Sequence, residues 1–476
     1  MDDTAARAGD LLAAYDTQVR THVPEPPPVG AVIERDGPVV RTHYGTHATV
    51  SRAPHPSGGD EGALVRRQQE ACAGRREPAV WRVYGHDPAP WGRALREAGF
   101  TAAGPERTLL VARFDDIDAA TAEGRAVPAK GQRVRRLGHG DHRDRELRRL
   151  AEAGGGGGGG PEWEPCAYAR GLEAVRADHG GLVSWGLNVQ LLEAETRLVG
   201  AGWAEPVGRT EFVAVRGMTG PHAEYLPPWL RWARTPWALG RAVAPAPERR
   251  YVTAEAPRGP VLDTLLGCGF RAVTTVRDHV WRPPGPPPYA TRPVTMLLGG
   301  PEHDALCAAF ERRFAFRPGL DSCPAVEEPA SSVTWHVGTP DGSARAERVR
   351  GAVQEIVERA ARAATPPGEQ LYALSWWHQG YRFDPARVSG TGHCGGTGRG
   401  GGPVRPSWPR SVCGDADYLM LLTRDLRMGT FWHPWEESLC VFGPALLAGA
   451  ESALTETLGT VMRRGGRNVG NVWTYE

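Results

Sequence analysis

PAPWGRALREAGFTAAGPERTLLVARF, residues 88–114, reads as a short helix, a stop at Gly99-Phe100 and a strand that opens at Thr108. A β-branched and aromatic run, VWRVY at 80–84, precedes it and closes at His86-Asp87, as a strand would. The same order returns later in the chain. Residues 251–253 (YVT) read as a strand, 260–266 as a helix, Gly269-Phe270 as the stop, and 279–281 as the last strand. At an offset of 170 residues, Pro90, Leu95, Gly99, Phe100 and Arg107 fall on Pro260, Leu265, Gly269, Phe270 and Arg277. Self-similarity at a fixed offset marks a duplicated supersecondary unit. The glycine has a physical reason, since a helix stop takes positive φ.

At 476 residues the chain exceeds one core and calls for several domains. Two linkers divide it. TAEGRAVPAKG at 121–131 is small and polar, and RPPGPPPYATRP at 282–293 is an extended, semi-rigid spacer. Three units follow: 1–118, 132–283 and 294–476. Seven glycines at 154–160 and the loop SGTGHCGGTGRGGGPVRP at 389–406 are disordered by composition. A net charge of +1 argues against nucleic-acid or acidic-membrane partners. Lys130 is the sole lysine, which excludes most Schiff-base and P-loop chemistry. No apolar run spans a bilayer and the first twenty residues lack a signal peptide's order, so a cytoplasmic protein is expected. Eight scattered cysteines form no C-x-x-C, so free, mostly buried thiols are expected and no metal is assigned.

The strand–helix–GF–strand pattern, preceded by LVGAGWAEP and EFVAVRGMTG, resembles the C-terminal half of a GNAT acetyltransferase. With LLAAYDTQVR, ERDGPVVR and VYGHD-to-AGF, residues 1–283 resemble actinobacterial GNAT proteins that carry an extra N-terminal lobe. The resemblance implies a duplicated mixed sheet with flanking helices. It also implies a hairpin through 187–192, 197–204 and 211–215 that leads into a helix whose first N–H groups hold the pyrophosphate of acetyl-CoA. Thr219, Gly220, Arg231 and Arg234 are the cofactor-binding residues it points to. The Arg/Gln-x-x-Gly-x-Gly/Ala signature is absent, however. PHAEYLPPWLRWARTPWALGRA follows Gly220, with Pro227 and Pro228 removing donors and Pro236 interrupting the helix. Losing backbone bonds to a charged group, each worth about 1.5–3 kcal/mol, predicts a dissociation constant well above micromolar. Glu205 and Glu211 lie near the right strands but read as exposed strand residues, so no general base is assigned.

The third unit carries its own crowded stretch, DYLMLLTRDLRMGTFWHPWEESLCVFG at 417–443, and a second one in LYALSWWHQGYRFDP from Leu371. Together with FAFRPGL and EEPASSVTWHVG these resemble a bacterial domain of unknown function, number 2716, from Pro301 to about Leu447. Helices are read through Leu306, Phe310 and Phe314, through Val349, Val353, Ile356 and Ala360, and through Leu454, Leu458, Val461 and Met462. Alternating strands between them give a separate α+β domain with a mainly antiparallel sheet. His378, His433, Asp425, Glu436 and Tyr381 are the candidate catalytic residues, expected around one cleft with both histidines partly accessible. Without H-E-x-x-H or H-x-H, no zinc site is read. Two functions stand. In one, residues 1–283 transfer an acetyl group from acetyl-CoA to an amine. In the other they are a non-catalytic scaffold, and the C-terminal domain binds a small molecule or protein.

Overall fold

The computed structural model describes residues 3–23, 27–54, 60–122, 132–136, 188–194, 197–219, 248–297, 301–319, 322–338, 343–376, 380–390, 404–414 and 417–469. Both glycine-rich runs, 154–160 and most of 389–406, lie outside these. The chain divides into two compact units: residues 1–28 with 33–289, and 29–32 with 290–476.

The first unit holds the duplicated segments in one sheet. Its first copy runs α1 (Asp3–Gln18), β1 (Val32–Asp36), β2 (Val39–His43), β3 (Ala48–Arg52), α2 (Glu61–Ala73), β4 (Ala79–Tyr84), α3 (Ala89–Glu97), β5 (Thr101–Arg113) and α4 (Phe114–Ala122). The second runs β6 (Gln132–Arg136), β7 (Asn188–Ala194), β8 (Arg197–Pro206), β9 (Phe212–Thr219), β10 (Tyr251–Pro257), α5 (Pro260–Gly267) and β11 (Arg271–Trp281). The strand–helix–strand order of the two copies is the same, and Gly99 and Gly269 both adopt positive φ, +82° and +95°. Each copy also has a parallel pair, β3 with β4 and β9 with β10.

The last strands are exchanged. Sheet order is β1-β2-β3-β4-β11-β5-β10-β9-β8-β7-β6. β11 lies antiparallel to β4 of the first copy, and β5 lies antiparallel to β10 of the second. Residues 1–118 and 132–283 therefore complete one another's sheet. Helices α2 and α3, the latter through Leu95, cover Val39, Val50 and Trp81 in the first copy. In the second, α4 and α5 cover Leu110, Val213, Val252 and Ala254. α1 lays Leu11 and Tyr15 on the opposite face, against Leu109, Val111, Phe212 and Val276. β11 begins eight residues before the strand read at 279–281. Thr274, Thr275, Arg277 and Asp278 break the apolar alternation that would have shown it.

The second unit is built from β12 (Val294–Leu297), α6 (Pro301–Phe314), β13 (Ser332–His336), α7 (Ala344–Ala364), β14 (Leu371–Ser375), β15 (Gly380–Phe383), β16 (Leu419–Thr423), β17 (Gly429–His433), β18 (Ser438–Phe442), α8 (Pro444–Leu458), β19 (Val461–Arg464) and β20 (Arg467–Asn468). The sheet order is β12-β15-β14-β16-β17-β18-β13-β19-β20, with every neighbour antiparallel. One face packs α7 and α8 over Val333, Trp335, Leu421, Trp432 and Leu439. The other packs α6, through Leu306, Phe310 and Phe314, over Leu374, Met420, Phe431 and Phe442. Each such side chain is worth about 1.5–3 kcal/mol on burial. The helix read through Val461 and Met462 ends instead at Leu458. Gly459 turns the chain at φ +72°, and both residues belong to β19.

Candidate functional site

In the first unit the notable geometry is where β9 and β10 part. The two are paired only over residues 212–214 and 251–253. Beyond that, β10 remains paired with β5 through Pro257, and β9 with β8 through Thr219, where the register slips between Ala201 and Trp203. Each strand is thus held by its far edge, and beyond Ala214 and Thr253 the two no longer pair with one another. On the α4/α5 face the parting strands carry Val213, Val215, Val252, Ala254 and Ala256. β9 runs on to Thr219, four residues beyond the end read at 215. The side chain of Thr219 and the whole of Gly220, Arg231 and Arg234 lie outside the described residues.

The opposite face holds a ring of charges that sequence reading did not find. Arg82 of β4 donates to Glu255 of β10 at 2.8 Å and to Asp278 of β11 at 3.3 Å. Arg107 of β5 donates to the same two carboxylates, at 2.9 and 2.8 Å. Burial pushes the Asp278 carboxyl up, but the charges of Arg82 and Arg107 and their hydrogen bonds outweigh it and hold it below its usual range. Both oxygens of Glu255 accept from guanidinium groups, which leaves it poorly suited to take a proton from a substrate. The four residues come from four strands of both copies, and only the exchange of β5 and β11 makes them neighbours. Glu211 accepts from Gln18 Nε2 at 2.9 Å and lies 3.2 Å from Arg250. It is tied into the start of β9.

In the second unit, the Leu419–Trp432 and Ser375–Leu419 pairs show that β14 and β17 end at the same edge of the sheet. His378 lies outside the described residues. His433 closes β17 and is buried, at 1% exposure, which corrects the expectation of partial access. Its Nδ1 accepts the backbone N–H of Glu436 at 3.0 Å, so the neutral ring carries its proton on Nε2 and donates it to the Ser322 carbonyl at 2.7 Å. Burial pushes this imidazole below its ordinary value of 6.5, only partly opposed by the Ser322 carbonyl. Cys323 Sγ is 3.8 Å from the same Nε2, but a nitrogen that already holds a proton cannot take the thiol's.

Glu436 turns into the sheet and meets Arg463 of β19 in a two-pronged pair at 2.6 and 2.7 Å, with Ser438 donating at 2.5 Å. Arg463 also donates to Glu328 at 2.8 Å, as does Thr334. Burial pushes the Glu436 carboxyl up, but Arg463 and Ser438 win and keep it ionised. The arrangement fixes the HPWE turn, leaving no free nucleophile or base within it. The other candidates lie elsewhere. Tyr381 pairs with Ala373 and packs on the α7/α8 face, across the sheet from His433. Asp425 sits in the β16–β17 turn, at the opposite end of β17, bound to Arg427 at 3.0 Å. Asp425, His433 and Glu436 are close in number, but hairpin direction separates Asp425 from the other two, and strand alternation puts Tyr381 on the other face.

His433→Ala should therefore cost about 1–3 kcal/mol, the loss of two buried hydrogen bonds, read as a lower melting temperature. A melt unchanged within error would return His433 to the surface. The pH dependence has a definite sign. With a folded pKa below 6.5, unfolding takes up protons, so this contribution is complete above about pH 6.5 and is lost as pH falls below it. The acid side of a wild-type stability curve, compared with that of His433→Asn, checks it.

Residues 297–447 match the family model described as protein of unknown function (DUF2716), as the quoted motifs implied. The uncharacterized protein YxiI of Bacillus subtilis (strain 168) is 28% identical over 100 residues, 21% of this chain and 55% of that protein. The chain thus spans about half the length of this relative. A GCN5-related N-acetyltransferase from Kribbella flavida is similar in structure at 11% identity and a TM-score of 0.35, covering 60% of this chain and 97% of that one. A tandem GNAT protein from the clavulanic acid biosynthesis pathway shows 16% identity and a TM-score of 0.38, covering 60% and 96%. No helix among the described residues is long and apolar enough to cross a membrane.

Proposed function

We propose that the first unit is a GNAT-like N-acyltransferase that takes an acyl-CoA between β9 and β10 and passes its acyl group to an amine. The observation that carries this is the three-residue pairing of those two parallel strands, each held firmly on its other edge. An extended chain with amide groups, such as the pantetheine arm, can pair with strand edges left open in this way, as a peptide pairs with a sheet edge. Glu255 orients through its guanidinium partners and is not cast as the base.

The missing phosphate-binding glycines set the affinity. Calorimetric titration of the whole chain with acetyl-CoA should show binding only above the micromolar range, and a thiol-release assay with a panel of amines should show turnover at millimolar acetyl-CoA. Saturation at low micromolar concentration would mean that side chains replace the backbone cradle. No heat at millimolar concentration would remove the acyltransferase reading. The scaffold reading would then stand, favoured already by the commitment of both Glu255 oxygens.

A further inference from the structure

The duplication supplies two pairs of parting parallel strands, and the pairs are filled differently. In the first copy β3 and β4 pair only over residues 48–50 and 79–81. Arg52, the last residue of β3, is 2% exposed; it donates to Asp87 at 3.1 Å and lies 4.5 Å above the ring of Trp91. Arg20, just beyond α1, donates to the Arg52 carbonyl at 2.7 Å and to the same Asp87 carboxylate, with its guanidinium 4.3 Å above Tyr84. The second oxygen of Asp87 accepts the backbone N–H of Tyr84 at 2.9 Å. Two guanidinium groups, a carboxylate and two aromatic rings thus occupy the place where β3 and β4 separate.

The helix that follows is equally unsuited to a pyrophosphate. Asp60 caps α2 by accepting the Ala63 N–H at 3.0 Å, and Glu61 stands in the first turn. One of the free N–H groups is already taken, and two negative charges meet an incoming anion. In the second copy the corresponding strands place no charge at these positions: Val213, Val215, Ala254 and Ala256 pack into the core under α4 and α5.

We propose that the chain holds a single acyl-CoA, between β9 and β10, and that the Arg20–Asp87–Arg52 assembly closes the first copy as a cofactor site. This rests on the acyltransferase reading. Amide hydrogen exchange of the whole protein, with and without millimolar coenzyme A, tests it. Exchange should slow about tenfold in residues 212–219 and 251–257 and stay unchanged in 48–54 and 60–66. Arg52→Ala should leave the coenzyme A isotherm unchanged within about twofold, since the residue lies outside the occupied site. Protection in β3 and the first turn of α2, or an isotherm weakened tenfold by Arg52→Ala, overturns the single-site proposal while sparing the acyltransferase reading. Protection nowhere overturns both.

Discussion

Arg463→Met is expected to cost the second unit about 3–5 kcal/mol, a fall of roughly 10 °C in its calorimetric transition. Side chains of Arg463, Glu328 and Glu436 are 6%, 1% and 6% exposed, and the single guanidinium lies between two carboxylates. Without it, two negative charges remain buried with Ser438 and Thr334 as the donors left to them among the described residues. Salt does not screen such a site as it screens the surface, so the loss should persist at high ionic strength. Changing Glu436 to Gln as well should recover part of the loss, because one uncompensated charge is gone. A single-variant effect below about 1 kcal/mol would show that the network is solvated and that its carboxylates are open to ligands.

Gly269→Ala should cost about 3 kcal/mol and Gly99→Ala about 1 kcal/mol, although the two glycines occupy matching places in the duplicated unit. Both have positive φ, so both variants share the backbone strain. A Cβ at Gly269 would in addition stand 2.8 Å from the Asp116 carbonyl oxygen at the start of α4, whereas at Gly99 its nearest neighbour is Trp281 at 3.9 Å. The first is closer than real contacts allow, and it presses on backbone that cannot swing away. Denaturant titrations of the two variants, side by side, decide the matter. Equal losses would mean that α4 yields.

The duplicated order was legible because a glycine with a forced conformation followed by a buried phenylalanine survives as a pattern in the chain. Phe100 and Phe270 each sit in the core of their own copy. The exchange of β5 and β11 was not legible, since antiparallel neighbours on either side present the same alternation to a reader of sequence. For the same reason Arg82, Arg107, Glu255 and Asp278 went unseen as a group. In the second unit two of the three helices could be read from their periodicity, as could the strands near 371–377, 418–422 and 438–442, whereas β19 was read as helix. His433, Glu436, Asp425 and Tyr381 looked like one cluster because they share residue types suited to catalysis. Their separation follows from which face and which end of a strand each occupies, and that depends on partners such as Arg463 that lie far along the chain.

The exchanged strands also bear on synthesis. Tyr84 pairs with Val276, so β4 leaves the ribosome about 190 residues before its neighbour exists; at roughly 5–20 residues per second that is a wait of some 10–40 seconds. For most of it, until β10 is made, the nascent chain displays a β4 edge without β11 and a β5 without either partner. Such edges invite pairing with other nascent chains on a polysome. A chain stopped at residue 118 should therefore be recovered mainly in aggregates, and mixing it with residues 119–289 during refolding should restore solubility, because the missing strands then arrive from a second polypeptide.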